Sequence, residues 1–95
     1  MRDYELALVI SPDVADEDVS RTVDRVSGLI KQRGGEVVRV DPWGRRRLAY
    51  PIRRFMEGSY VFTHIRMEPE QAQELEASLN ISEDVLRHLL VQHEE

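Results

Sequence analysis

The sequence contains no cysteine. That absence excludes a disulfide framework, a thiolate zinc site and a cysteine nucleophile. A 95-residue chain buries a modest fraction of its surface, so it must hold together by packing in one small core or by a partner. No apolar run comes near the ~20 residues that a membrane helix needs, and the start lacks the pattern of a signal peptide. Cytosol is the expected compartment. Histidine is scarce: His64, His88 and His93 are the only three, and none has metal-ligand spacing to another. No Ser-His-Asp pattern and no glycine-rich phosphate loop is present, because Gly34-Gly35 leads into a strand and not into a helix. Asp16, Glu17 and Asp18 read as acids at a helix start, and Glu68, Glu70, Glu74 and Glu76 as the solvated face of a second helix. With no titratable cluster in a cleft, neither an enzyme, a metal, a cofactor nor a small-molecule substrate is expected.

Lysine is also nearly absent. Twelve of the thirteen bases are arginine, Lys31 being the exception. The net charge is −5, which at first argues against nucleic acid. Its distribution argues the other way. From Arg39 to Arg54 the chain carries Arg39, Arg45, Arg46, Arg47, Arg53 and Arg54 against the single acid Asp41, a net +5 in sixteen residues. Phosphate contacts respond to the local field more than to total charge. The arginine fork also suits bidentate phosphate contact and stacking on bases.

Periodicity gives one domain over residues 1–95. Tyr4 to Ile10 alternates, with Tyr4, Leu6, Leu8 and Ile10 on one side and Glu5, Ala7 and Val9 on the other. The second side is largely apolar too, as in a central strand. Asp16 is the expected N-cap of a helix whose buried stripe is Val19, Val23, Val26, Leu29 and Ile30, with Gly34 ending it in a left-handed cap. Glu36 to Asp41 reads as a strand, broken or bulged at Pro42-Trp43-Gly44, and Arg47 to Tyr50 as extended again before Pro51. Glu57-Gly58-Ser59 reads as a turn, and Tyr60 to Met67 as a strand with Tyr60, Phe62, His64 and Arg66 on one face. Pro69 opens a second helix with a stripe of Ala72, Leu75 and Leu79, capped near Asn80. Val85 to Val91 is the last strand, followed by a short acidic tail, residues 92–95. The order β-α-β-β-α-β implies an α+β, ferredoxin-like split βαβ fold: a four-stranded antiparallel sheet with both helices on one face and the other face open.

Arg45, Arg46 and Arg47 follow the bulge, and Trp43, Tyr50 and Phe55 interleave with the bases. Basic groups beside aromatics can bind phosphates and stack on bases. The structural alternative has Trp43 and Phe55 closing the hairpin while the arginines pair with helix acids. On the open face, Tyr60, Phe62 and His64 could stack bases, but Gly58 to Ile65 lacks the RNA-recognition-motif signature. An apolar open face fits a protein partner at least as well.

Met1-Arg2-Asp3-Tyr4-Glu5, the run Gly44-Arg45-Arg46-Arg47-Leu48-Ala49-Tyr50-Pro51-Ile52, Gly58-Ser59-Tyr60 and Val85-Leu86-Arg87-His88-Leu89-Leu90-Val91 resemble the family of the sixth protein of the bacterial small ribosomal subunit. The resemblance spans essentially the whole chain. It implies a structural ribosome component on the central domain of 16S ribosomal RNA, as a heterodimer with the eighteenth small-subunit protein. By motif match it carries over Arg2, Tyr4, Arg46, Arg47 and Tyr50 as contacts; Arg45 is an added base. The RNA-facing set is then Arg2, Arg45, Arg46, Arg47 and Tyr50. The partner-facing set is Tyr4, Trp43, Tyr60, Phe62 and His64. The competing readings are a protein-interaction module with only indirect RNA contact and, last, a small ferredoxin-like enzyme or ligand-binding regulator.

Overall fold

The computed structural model describes residues 1–93, so Glu94 and Glu95 of the expected tail lie outside the described residues. Strand β1 (Arg2–Ile10) leads through a 3₁₀ turn (Asp16–Asp18) into helix α1 (Val19–Gln32). Strands β2 (Glu36–Ile52) and β3 (Phe55–Met67) form a long hairpin, followed by helix α2 (Pro69–Asn80) and strand β4 (Val85–Gln92). The sheet order is β2-β3-β1-β4 with every neighbouring pair antiparallel, which is the ferredoxin-like βαββαβ arrangement expected.

The alternation on the two central strands decides what is core. Leu6, Leu8 and Ile10 of β1 and Val61, Ile65 and Met67 of β3 are all essentially inaccessible and pack with Val23, Val26 and Ile30 of α1 and Ala72, Leu75 and Leu79 of α2. Tyr4 has the same parity and lies in this core. Thr63 is the polar member of the stripe, and its hydroxyl donates to the Leu6 carbonyl at 3.1 Å, so no donor is left unmade.

Helix α1 ends in a Schellman motif. Gly34, at φ +77°, donates to the Lys31 carbonyl, and Gly35 to the Ile30 carbonyl. A Cβ on Gly35 would sit 2.8 Å from Ile30 Cγ2 and 3.1 Å from the Arg66 carbonyl oxygen, so glycine lets the helix end settle against the sheet. The start of α1 corrects an expectation. Asp16 does not cap the helix, and no side chain does. Its carboxylate is engaged instead by Arg45, while the acids of the 3₁₀ turn still favour the positive end of the helix dipole. Helix α2 opens with Pro69 after Glu68 and runs one residue further than expected, through Asn80 to a C-cap at Ile81.

The hairpin outgrows the sheet. Ser59 pairs with both Arg45 and Ile10, the last residue of β1, so residues 46–58 form an arm beyond the body. The expected break at Pro42-Trp43-Gly44 is a bulge inside one continuous strand, with Gly44 at φ +83°. The expected turn at Glu57-Gly58-Ser59 is instead part of β3. The chain reverses at Arg53-Arg54, a two-residue loop between the paired Ile52 and Phe55, with φ +49° and +72° as in a type I′ turn. Gly58 has another job. A Cβ there would lie 2.7 Å from Val9 Cγ1 and 2.9 Å from the Ile10 carbonyl oxygen. The arm therefore leans over the end of β1 at Gly58, and Leu48, Ile52 and Phe55 pack on Val9, Leu86 and Tyr60 in a second, smaller cluster on the helix-free face. Positive φ at two arginines costs about 1–2 kcal/mol each, which this packing offsets.

Candidate nucleic-acid interface

The three consecutive arginines diverge because side chains on a strand alternate between faces. Arg45 turns to the helix side. Its guanidinium donates to Asp16 Oδ1 at 3.1 Å, to Glu57 Oε1 at 3.1 Å and to the carbonyls of Pro12 and Val14. The hydrogen bonds it donates to Glu57 and Asp16 raise its pKa above the ordinary arginine value. Arg45 is thus a strut between the base of the arm and the β1–α1 loop, with its donors already committed. Arg46 turns to the open face and lies over the Trp43 ring at 5.5 Å. Trp43 tilts against Phe62 at 4.8 Å between centroids and donates its indole N–H to Asp41. Arg46 and Arg47 are exposed and have no ion pair among the described residues. Their charge is presented to solvent.

Tyr50 is 56% exposed on the arm, with Arg87 over its ring at 5.9 Å and donating to its hydroxyl. Tyr60 is half-buried beneath the arm, and Phe62 sits mid-sheet between Ala7 and Asp41. His64 lies on the same face but is held in a network of its own. Its Nε2 is 3.1 Å from Asp3, which Arg66 also contacts at 3.2 Å, and its ring stacks on His93 at 5.2 Å. Tyr4 corrects the partner-facing set. It is 7% exposed, on the helix side, and contributes nothing to the open face. Arg2 is exposed at the far end. It pairs with Met67, whereas Arg46 pairs with Gly58, nine positions away along β3, or about 30 Å. The structure thus brings Arg46, Trp43 and Phe62 together, and places Arg2 apart from them.

Strand β4 adds residues not singled out from sequence. Leu89 and Val91 are 54% and 49% exposed and register beside Ala7 and Glu5 on the open face. With Val9, Leu48, Tyr50 and Phe62, Leu89 lines a groove of about 300 Å³ between arm and sheet. The alternation of Val85 to Val91 carried the signal for this: Arg87, Leu89 and Val91 share one parity, and it is the exposed one.

A model of the family described as ribosomal protein S6 matches residues 3–92. The chain belongs to the ribosomal protein S6 family. Among its relatives, the small ribosomal subunit protein bS6 of Moorella thermoacetica is 45% identical over 95 residues, covering the whole chain and 97% of that protein. That of Acidothermus cellulolyticus is 43% identical over 91 residues, with 96% and 95% covered. The crystal structure of 30S ribosomal protein S6 from Thermotoga maritima superimposes with a TM-score of 0.89 at 31% identity, covering 97% of this chain and 87% of that one. The C-terminal domain of the MgtC protein from Mycobacterium tuberculosis, at TM-score 0.56 and 13% identity, shares the fold alone. As a ribosomal protein S6 family member the chain is a structural, non-enzymatic component of the small ribosomal subunit. Among the described residues no helix is long and apolar enough to cross a membrane.

Proposed function

We propose that this chain binds the central domain of 16S ribosomal RNA jointly with the eighteenth small-subunit protein, which docks on the open sheet face. The observation that carries the reading is the Arg46–Trp43–Phe62 stack. It joins a guanidinium with no ion pair among the described residues to the apolar surface of the open face, so that one continuous patch offers both phosphate contact and protein contact. An aromatic ring beneath Arg46 holds the guanidinium in place without neutralising it. Arg47, Tyr50 and, at the far end, Arg2 supply further contacts to RNA. Exposed Leu89 and Val91 and the groove beneath the arm favour a protein partner on the same face. The net charge of −5 explains why two proteins would bind together: the field of this chain alone opposes RNA beyond its basic arm.

The test is binding to a central-domain RNA fragment over a salt series, with the partner present. Arg46→Ala with Arg47→Ala should flatten the dependence of log K on log salt by about 0.7–0.9 per lost phosphate contact. An unchanged slope rules out direct contact by these residues. In that case the protein-interaction reading, with RNA contact made only by the partner, is favoured by the same apolar groove.

A further inference from the structure

The turn at the arm tip is built from the wrong residues for its geometry. A type I′ turn needs positive φ at both positions and is relaxed as Asn-Gly. Here both positions are arginine, Arg53 at φ +49° and Arg54 at φ +72°. Strain held in place by its surroundings is a pointer to function. Both side chains are exposed and have no ion pair among the described residues. Beneath them, Arg53 and Arg87 line a depression of about 170 Å³ with His88 and Asn80. Arg87 is steadied by the Tyr50 ring and has no carboxylate partner among the described residues. Two acids on the flanking elements are engaged by other groups: Glu76 lies 3.3 Å from His88, and Asp84 pairs with Arg25 at 2.9 Å.

We infer that the arm tip is a second phosphate-binding site, in which Arg53 and Arg54, backed by Arg87, contact the ribose-phosphate backbone of RNA apart from Arg46 and Arg47. This rests on the RNA-binding reading above. Arg53 stands six positions beyond Arg47, at the opposite end of the arm. Adjacent guanidiniums projecting from a tight turn suit a row of phosphates. They suit the centre of a protein interface poorly, because such centres are depleted of charge. Arginine also grips a phosphate through two parallel N–H bonds, which lysine cannot do.

The test uses the full chain with its partner protein, the central-domain RNA fragment and a salt series. The variant Arg53→Asn with Arg54→Gly removes two charges and relaxes the turn. It should melt about 5 °C higher than the parent and yet bind RNA more weakly. Its salt slope should be flatter by about 1.5, so that the affinity gap to the parent closes about eightfold between roughly 50 and 200 mM salt. Arg53→Lys with Arg54→Lys should retain most of the slope. A relaxed-turn variant with the parent's slope overturns the site, as does a lysine variant that loses as much as the relaxed one. Weaker heterodimer formation without RNA, at unchanged RNA slope, would assign the tip to an acidic protein surface instead and also overturn it. The Arg46→Ala, Arg47→Ala pair keeps the two ideas apart. If that pair flattens the slope and the tip variant does not, only the tip site fails; if the parent shows no salt-dependent RNA binding, the underlying reading fails with it.

Discussion

Replacing Gly58 by alanine should unfold the arm from the sheet, although alanine is nominally the better-behaved residue. Gly58 has no positive φ to protect, so the effect is steric. The new Cβ would meet Val9 Cγ1 at 2.7 Å and the Ile10 carbonyl oxygen at 2.9 Å. The Val9 methyl could rotate away. The Ile10 oxygen is backbone in a central strand and cannot, so the arm must rise. Lifting it loosens the cluster in which Val9, Leu48 and Leu86 are each only 7% exposed. Overpacking of this kind costs typically about 1–3 kcal/mol, and the backbone contact places Gly58→Ala near 2 kcal/mol by the same scale. For a domain of this size that corresponds to a Tm lower by about 10 °C. The matched control is Gly28→Ala in helix α1. A Cβ there meets nothing within 4 Å, so the substitution should stabilise by about 1 kcal/mol through helix propensity. Urea unfolding of both variants at a common m-value is the assay. If Gly58→Ala is neutral or stabilises as Gly28→Ala does, the close approach of the arm to β1 does not exist in solution.

Other outcomes follow from the same geometry. Arg45→Gln should lower Tm by a few degrees and leave the RNA salt slope at the parent's value, since its donors are already committed to Asp16, Glu57 and two carbonyls; a flattened slope would return Arg45 to the RNA-facing set. The raised Arg45 pKa means that its contribution is fully present below the ordinary arginine value and is lost only as pH climbs through the folded one. The Tm difference between parent and Arg45→Gln should therefore be constant from about pH 7 to 9, read by thermal melts. Leu89→Glu sits on an exposed position of β4, so it should leave Tm within a few degrees while weakening heterodimer formation by at least about tenfold, or 1.4 kcal/mol; undiminished association by analytical ultracentrifugation would place the partner elsewhere.

Side-chain parity made most of the architecture legible. Tyr60 to Met67 alternates cleanly, and both of its faces are where the pattern puts them. Tyr4 was equally legible by parity, since it shares a side with Leu6, Leu8 and Ile10; the family motif pointed it outward, and core packing prevailed. Gly58 shows what a single residue type cannot disclose. Glycine serves a turn by its positive φ and a close approach by its missing Cβ, and only the fold says which. The true turn was hidden because arginine is a poor signal for positive φ. Arg45 and Arg46 were separable as opposite faces of a strand. That Asp16, 29 residues away, waits beside one of them is a tertiary fact, and the same contact removed Asp16 from its expected cap.

The charge distribution finally sets how much this chain can do on its own. Each phosphate contact shifts log K by about 0.8 per decade of salt, or roughly sixfold at 0.1 M relative to 1 M. Arg46, Arg47 and Arg2 together then supply about 3 kcal/mol, short of the 4.1 kcal/mol that a millimolar Kd represents. Adding Arg53 and Arg54 brings the total to about 5.5 kcal/mol, a Kd near 0.1 mM. The rest of the molecule subtracts from this, because its net charge is −5 in spite of the basic arm. Screening over about 8 Å at physiological salt limits that penalty but does not reverse it. The isolated chain should therefore bind the central-domain fragment no more tightly than about 0.1 mM, and the partner should improve this by at least about a hundredfold through its own contacts and the joined surface. Fluorescence anisotropy with and without the partner reads both numbers. Low-micromolar binding by the chain alone would mean that contacts beyond these arginines carry the affinity, and that the open face, not the arm, meets the RNA.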